Sequence, residues 1–399
     1  MRALRITIAC LLALAVLVFI GVKLSARHTR TNTKAAAGND LIVHEWGTFT
    51  SIAGKDGVAL EWRPLNGATD LPKFVHTIQE GDAGLRHDAK ADLRAAVRME
   101  TPVIYFYSNH EIDVSVKVDF PKGRITEWYP QARLVSTGIN WGRIKVMPGA
   151  SLNLPVEYSA SHYFAARETD SAPVQVCRMD GKPAQQEKFL FYRGVGTFDL
   201  PISVKLAGNQ ILLKNLERNE ISHLIIFENR GGKIGYRVLD AFTGETTSEH
   251  PTLDGNIDLL ISELKKTLLA SGLYEKEADA MIKTWRSSWF EEGVRVFYVL
   301  PRETTDTVLP IAIDPKPTQL VRVLVGRAEV ITPEMEKSVQ QKVSMLGDPK
   351  ARGEAILAIR KYGRFSEPIL ERILATEKDP VVRDLIRQLI DHVAEKAVS

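Results

Sequence analysis

Ile112, Val114, Val116, Val118 and Phe120 alternate with Asp113, Ser115, Lys117 and Asp119. This two-residue period constrains the chain more than any other feature. Successive side chains of a strand point to opposite faces, so the segment buries one face and wets the other. Pro121-Lys122-Gly123 then turns the chain, and residues 125–129 open another such run. Further runs occupy 103–107, 139–147, 189–192, 202–206, 211–213, 224–227 and 234–239. Arg230-Gly231-Gly232-Lys233 between the last two predicts a tight hairpin. From Leu41 to Phe242, short β runs punctuated by Gly and Pro predict a mainly β body built as an antiparallel sandwich or jelly roll. One helix is expected there, around 88–97.

The pattern changes near residue 248. Ile257, Leu260, Ile261, Leu264 and Leu268 recur at helical spacing, with Asn256 as N-cap and Gly272 just past the end. Ala278, Met281, Ile282, Trp285 and Trp289 mark a second helix, where the two tryptophans are expected in the core. Strand-like runs return at 294–300 and 320–325. The expected organisation is a β body over 40–247, an α+β segment packed on it over 248–331, and an α-helical tail over 332–399. Thr332-Pro333 is a strong helix start, because the hydroxyl caps and proline at the first position lacks no needed donor. In the tail, Asp348-Pro349-Lys350-Ala351-Arg352 matches Asp379-Pro380-Val381-Val382-Arg383. This D-P-x-[AV]-R pattern resembles short HEAT-like repeats of the type found in phycobilisome lyases, over about 333–396. The resemblance implies helix pairs that bury their faces by stacking. Two such units are too few for a free solenoid, so the tail should lean on the body.

Residues 6–22 carry no charge and follow Arg2 and Arg5. The run is long enough for a short membrane span, and its alternative is a cleaved signal peptide. Residues 23–39 read as a flexible basic spacer. The expected location is therefore the cell envelope, with an inner-membrane anchor and a periplasmic body, or secretion if the leader is removed. The membrane is the one partner read directly from this segment. The 399 residues carry a formal net charge of +3, and no basic cluster outside the leader suggests nucleic-acid binding. Cys177 is the only cysteine outside the leader, so the body has no internal disulfide; in its strand-like run it reads as a small buried hydrophobe.

Chemistry is sparsely signalled. His44-Glu45-Trp46-Gly47-Thr48-Phe49 opens the body. Adjacent His and Glu on a strand face opposite ways, which disfavours a shared metal. His44 is expected to be hydrogen-bonded in the core, with Trp46 packed. No histidines stand at helical ligand spacing, and no metal or other cofactor is inferred. Glu61-Trp62 and Glu127-Trp128 repeat a carboxylate beside an aromatic, as sugar-processing sites do. The plainer expectation puts Trp128 in the core with Glu127 and Tyr129 facing water. Trp141, Arg143 and Lys145 should share one strand face, a candidate ligand surface. Glu291-Glu292 closes a helix where carboxylates are disfavoured, so a cationic partner is required, with Arg286, Arg295 and Arg302 as candidates. No nucleophile elbow is present, and 191–196 lacks the context of a phosphate loop.

Together, HEWGTF at 44–49, METPVIYFY at 99–107, ITEWYP at 125–130, FYRGVG at 191–196 and WFEEG at 289–293 resemble a family of bacterial exported proteins whose body opens with HEWGTF. The resemblance spans residues 41 to about 331 and implies no particular reaction. The motif residues give a catalytic candidate set of Glu45, Glu127, Glu291, Arg193 and Arg302. The ligand-binding set is His44, Glu100, Trp141, Arg143 and Lys145. The expectation is an envelope protein that binds a protein partner or an envelope polymer. The alternative is an exported hydrolase of glycans or peptides using those carboxylates.

Overall fold

A computed structural model describes residues 40–65, 70–78, 90–157, 161–177 and 184–392. The leader and the spacer lie outside these residues, as does His87. Among the described residues no helix is long and apolar enough to cross a membrane. The chain is mainly β, with several sheets and a C-terminal helical region. The described residues from Leu41 onward form one compact unit.

The centre is a nine-stranded sheet. Its order is β14 (Lys233–Leu239), β13 (Leu224–Arg230), β16 (Gly293–Val299), β18 (Gln319–Val330), β1 (Ile42–Ala53), β3 (Val97–Tyr107), β10 (Leu190–Gly196), β5 (Gly123–Tyr129) and β2 (His76–Thr77). A six-stranded sheet holds β17 (Ile311–Asp314), β4 (Ile112–Asp119), β7 (Gly138–Val146), β8 (Val174–Val176) and β9 (Gln185–Glu187), with β6 (Arg133–Val135) paired to β7. A three-stranded sheet is formed by β11 (Ile202–Ala207), β12 (Gln210–Asn215) and β15 (Glu245–Glu249). The Gly231-Gly232 hairpin joins β13 to β14, with both glycines at positive φ as its turn requires.

Three features differ from expectation. The pairing is not wholly antiparallel, because β1 and β18 run parallel in full register from Ile42 opposite Gln319 to Ala53 opposite Val330. The segment 248–331 supplies β16 and β18 to the middle of the sheet that β1 and β3 also build. The expected helix near 88–97 is, in its described part, one 3-10 turn over Lys90–Asp92, after which β3 begins.

One apolar cluster joins the central sheet (Val43, Phe49, Met99, Ile104) to the six-stranded sheet (Val114, Val116, Val118, Ile139, Ile144). A second lies on the other face of the central sheet, under helices α1 (Ile257–Ala270) and α2 (Glu275–Trp289). It gathers Trp46, Tyr105, Phe191, Phe227 and Phe297 with Leu260, Leu264, Met281, Trp285 and Trp289. A short helix α3 (Arg302–Val308) follows β16.

The tail comprises α4 (Pro333–Ser344), α5 (Arg352–Arg360), α6 (Ser366–Thr376) and α7 (Pro380–His392). Its apolar cluster includes Ile52 and Trp62 of the body, so the tail does lean on it. Ion pairs fasten the same junction. Arg63 reaches Glu367 and Asp391 (both 3.2 Å), Arg94 reaches Glu371 (2.6 Å), and Lys55 reaches Glu336 (2.7 Å).

The repeated D-P-x-[AV]-R motif performs the same local work twice. Asp348 Oδ1 accepts from the N–H of Lys350 (2.9 Å), and Asp379 Oδ1 accepts from Val381 (2.8 Å). Arg352 Nε donates to the Leu346 carbonyl and Arg383 Nη1 to the Glu377 carbonyl, each six residues upstream. The aspartate fixes the entry to one helix while the arginine satisfies carbonyls left at the end of the previous one.

Candidate functional site

β1 carries the opening motif through the middle of the central sheet, and both its faces are covered. His44 and Glu45 therefore point into different layers, as strand alternation demands. His44 is fully buried, and its Nδ1 lies 2.8 Å from Glu277 Oε2. Glu277 also accepts from Tyr107 Oη (2.8 Å) and from the Tyr274 N–H (2.7 Å), so one carboxylate caps α2 and pins it to β1 and β3. The Tyr274 ring packs 4.4 Å from the imidazole, and His44 Nε2 is buried with no hydrogen-bond partner.

On the opposite face Glu45 accepts from Tyr192 Oη and Arg322 Nε, both at 2.5 Å. Arg322 continues to Asp306 (2.8 Å), and Asp306 pairs with Arg302 (2.7 Å) at the surface. The result is a chain of charge leading from the core outward.

The remaining motif residues assemble into a belt across six strands. Paired positions in neighbouring strands share a face, so register alone places Glu127 beside Arg193. Thr50 stands between Arg98 and Arg327, and Arg295 beside Glu329. Thr48 stands opposite Glu100. The belt lies on the helix-covered face, because Arg327 is opposite Phe297 of the second apolar cluster and Glu329 is opposite Ile52 of the third.

Glu100 and Arg98 reach this face through an irregularity. Thr101 adopts φ of 48° before Pro102, shifting the alternation of β3 by one residue. A non-glycine residue there is strained, and a locally over-determined backbone holds it. Gly47 lies opposite; a Cβ on it would sit 3.0 Å from Pro102 and from Leu324. The HEWGTF and METP motifs are thus two sides of one bulge.

Within the belt, Glu100 accepts from Thr50 (2.7 Å) and pairs with Arg98 (3.3 Å) and Arg327 (3.5 Å). Glu329 pairs with Arg327 (3.1 Å) and Arg364 (2.9 Å), and Arg364 also holds Glu291 (2.8 Å). Arg193 forms a two-point pair with Asp70 (2.7 and 3.0 Å). Glu127 is held by Lys90 and Thr126.

Burial opposes ionisation of Glu100, but Arg327, Arg98 and Arg364 overcome it and hold the carboxyl at about 2. Burial likewise opposes ionisation of Glu329 and Asp70. Glu329 is held below the usual range by Arg364, Arg327 and Arg295, and Asp70 by Arg193. Arg295 is pulled down to about 10, first by burial and then by the neighbouring Arg327 and Arg364. Carboxylates held ionised this firmly carry no proton to donate near neutrality, so these three are poor general acids.

Several expectations change here. Glu127 and Tyr129 do not face water: Glu127, Trp128 and Tyr129 are all buried, since both faces of β5 are covered. The partner of Glu291 is Arg364 from the tail, whereas Glu292 accepts from the Gly231 N–H. Arg295 instead donates to the carbonyls of Trp289, Glu291 and Glu292, answering the unsatisfied end of α2. Trp141 does not share a face with Arg143 and Lys145. A bulge at Gly142, with φ of 64°, turns Trp141 into the core and leaves the two cations outside beside Asp113 and Glu111. Cys177 is exposed, because it lies just past the end of β8.

Apart from Trp141, Arg143 and Lys145 on β7, the named residues fall into three groups: His44 alone, Glu45 with Arg302, and Glu100, Glu127, Arg193 and Glu291 in the belt. Sequence reasoning missed Glu277, Asp70, Arg322, Arg327, Glu329 and Arg364. Charges inside the otherwise apolar run 319–330 were the available signal for three of them. Among the described residues, no three His, Cys, Asp or Glu side chains group as a metal site would need.

A scan against protein-family models and a search of curated proteins return no match. Among solved structures, the yeast delta-COP-I mu-homology domain is similar at 9% identity over 73% of this chain and 96% of that one. The TM-score is 0.29, which carries no argument about shared fold or function.

Proposed function

We propose that this chain is an envelope protein, carried across the membrane by its leader, that binds a protein partner or an envelope polymer. One observation supports this above others: each carboxylate that would serve catalysis is already engaged. Glu45 is held by Arg322 and Tyr192, Glu127 by Lys90 and Thr126, and Glu291 by Arg364. A retaining or inverting hydrolase needs two carboxyl groups facing one substrate bond across open space. Here the charges instead stiffen the junction between sheet and tail, which suits a rigid body presenting surface. In the finer reading, the central and six-stranded sheets stack as a sandwich across their shared apolar cluster. The tail pairs its helices in HEAT-like fashion through the repeated Asp and Arg contacts.

The test uses the full chain in detergent, with Glu45→Gln, Glu127→Gln and Glu291→Gln, assayed against glycan and peptide substrates and for co-sedimentation with isolated envelope polymer. Binding without turnover is expected. Turnover that disappears in any of the three variants overturns the reading.

The hydrolase alternative retains one observation in its favour. His44 is oriented by Glu277 through Nδ1 while Nε2 is unpartnered, the disposition of a general base. Its own test is hydrolysis abolished by His44→Gln in a protein that still melts normally.

A further inference from the structure

We draw no further inference here: the strongest candidate, the outer edge of β15 in the three-stranded sheet, is open among the described residues, but its exposed Glu245 and Glu249 already pair with Lys214 and Arg237 and nothing in the structure shows what covers it.

Discussion

The central sheet and the repeated D-P-x-[AV]-R motif of the helical tail both carry charge, yet the two use it in opposite ways. In the sheet, Glu45, Arg322, Glu100, Arg327 and Glu329 are buried, and each has a partner far away in sequence, Arg364 in the case of Glu329. In the tail, Asp379 is exposed and its carboxylate serves the N–H groups of the adjacent turn. A buried charge whose partner is removed bears its full desolvation penalty, whereas an exposed cap exchanges one hydrogen bond for water. Motifs of similar appearance should therefore differ several-fold in energetic weight.

The largest effect is expected from Arg322→Ala, which leaves the Glu45 carboxylate buried with Tyr192 alone. The loss should be about 3–5 kcal/mol, read as a lower urea midpoint. A loss no larger than that of a tail cap would abolish the contrast.

Next comes acid sensitivity. The folded pKa of Glu100 lies below its ordinary value of 4.5, at about 2. A depressed carboxylate stabilises the protein above the unfolded pKa, and that contribution fades as pH falls from about 4.5 toward 2. It amounts to roughly 3 kcal/mol near neutrality. Urea midpoints followed from about pH 6 downward should fall less steeply in Glu100→Gln than in the parent. Identical slopes would mean that Glu100 is not held ionised by its arginines.

In the tail, Asp379→Ala should cost about 1 kcal/mol, and Asp379→Asn almost nothing, because asparagine caps equally well. The smallest effect belongs to Arg143→Ala on the outer face of β7. Its pairing with Asp113 is at 4.0 Å between well-exposed groups, so the melting midpoint should not move. A measurable shift there would show that the outer face of the six-stranded sheet is less solvated than its exposure indicates.

Legibility followed the range of the interactions. The alternating strand 112–120, the Gly231-Gly232 hairpin and the apolar face of α2 were readable, because period and turn chemistry are local. The repeated Asp and Arg of the tail were readable for the same reason. The candidate site was legible only as a set of suspicious residues. Glu100, Glu127, Arg193 and Glu291 were named, but not that one belt would hold them, nor that Arg364 would cross from the tail to close it. Trp141 was misplaced because a single bulge residue reverses every face that follows it.

By itself, the sequence determined where most strands and helices lie, which faces of their regular stretches are apolar, and where many turns and caps fall. Those follow from sterics and hydrophobic period within a few residues. The tertiary structure alone decided that β1 and β18 run parallel, that Thr101 reverses the face of β3, and that Glu45 meets Arg322 across 277 residues. A charge accepts any opposite charge, and local pattern carries no record of which one the register of distant strands will bring beside it.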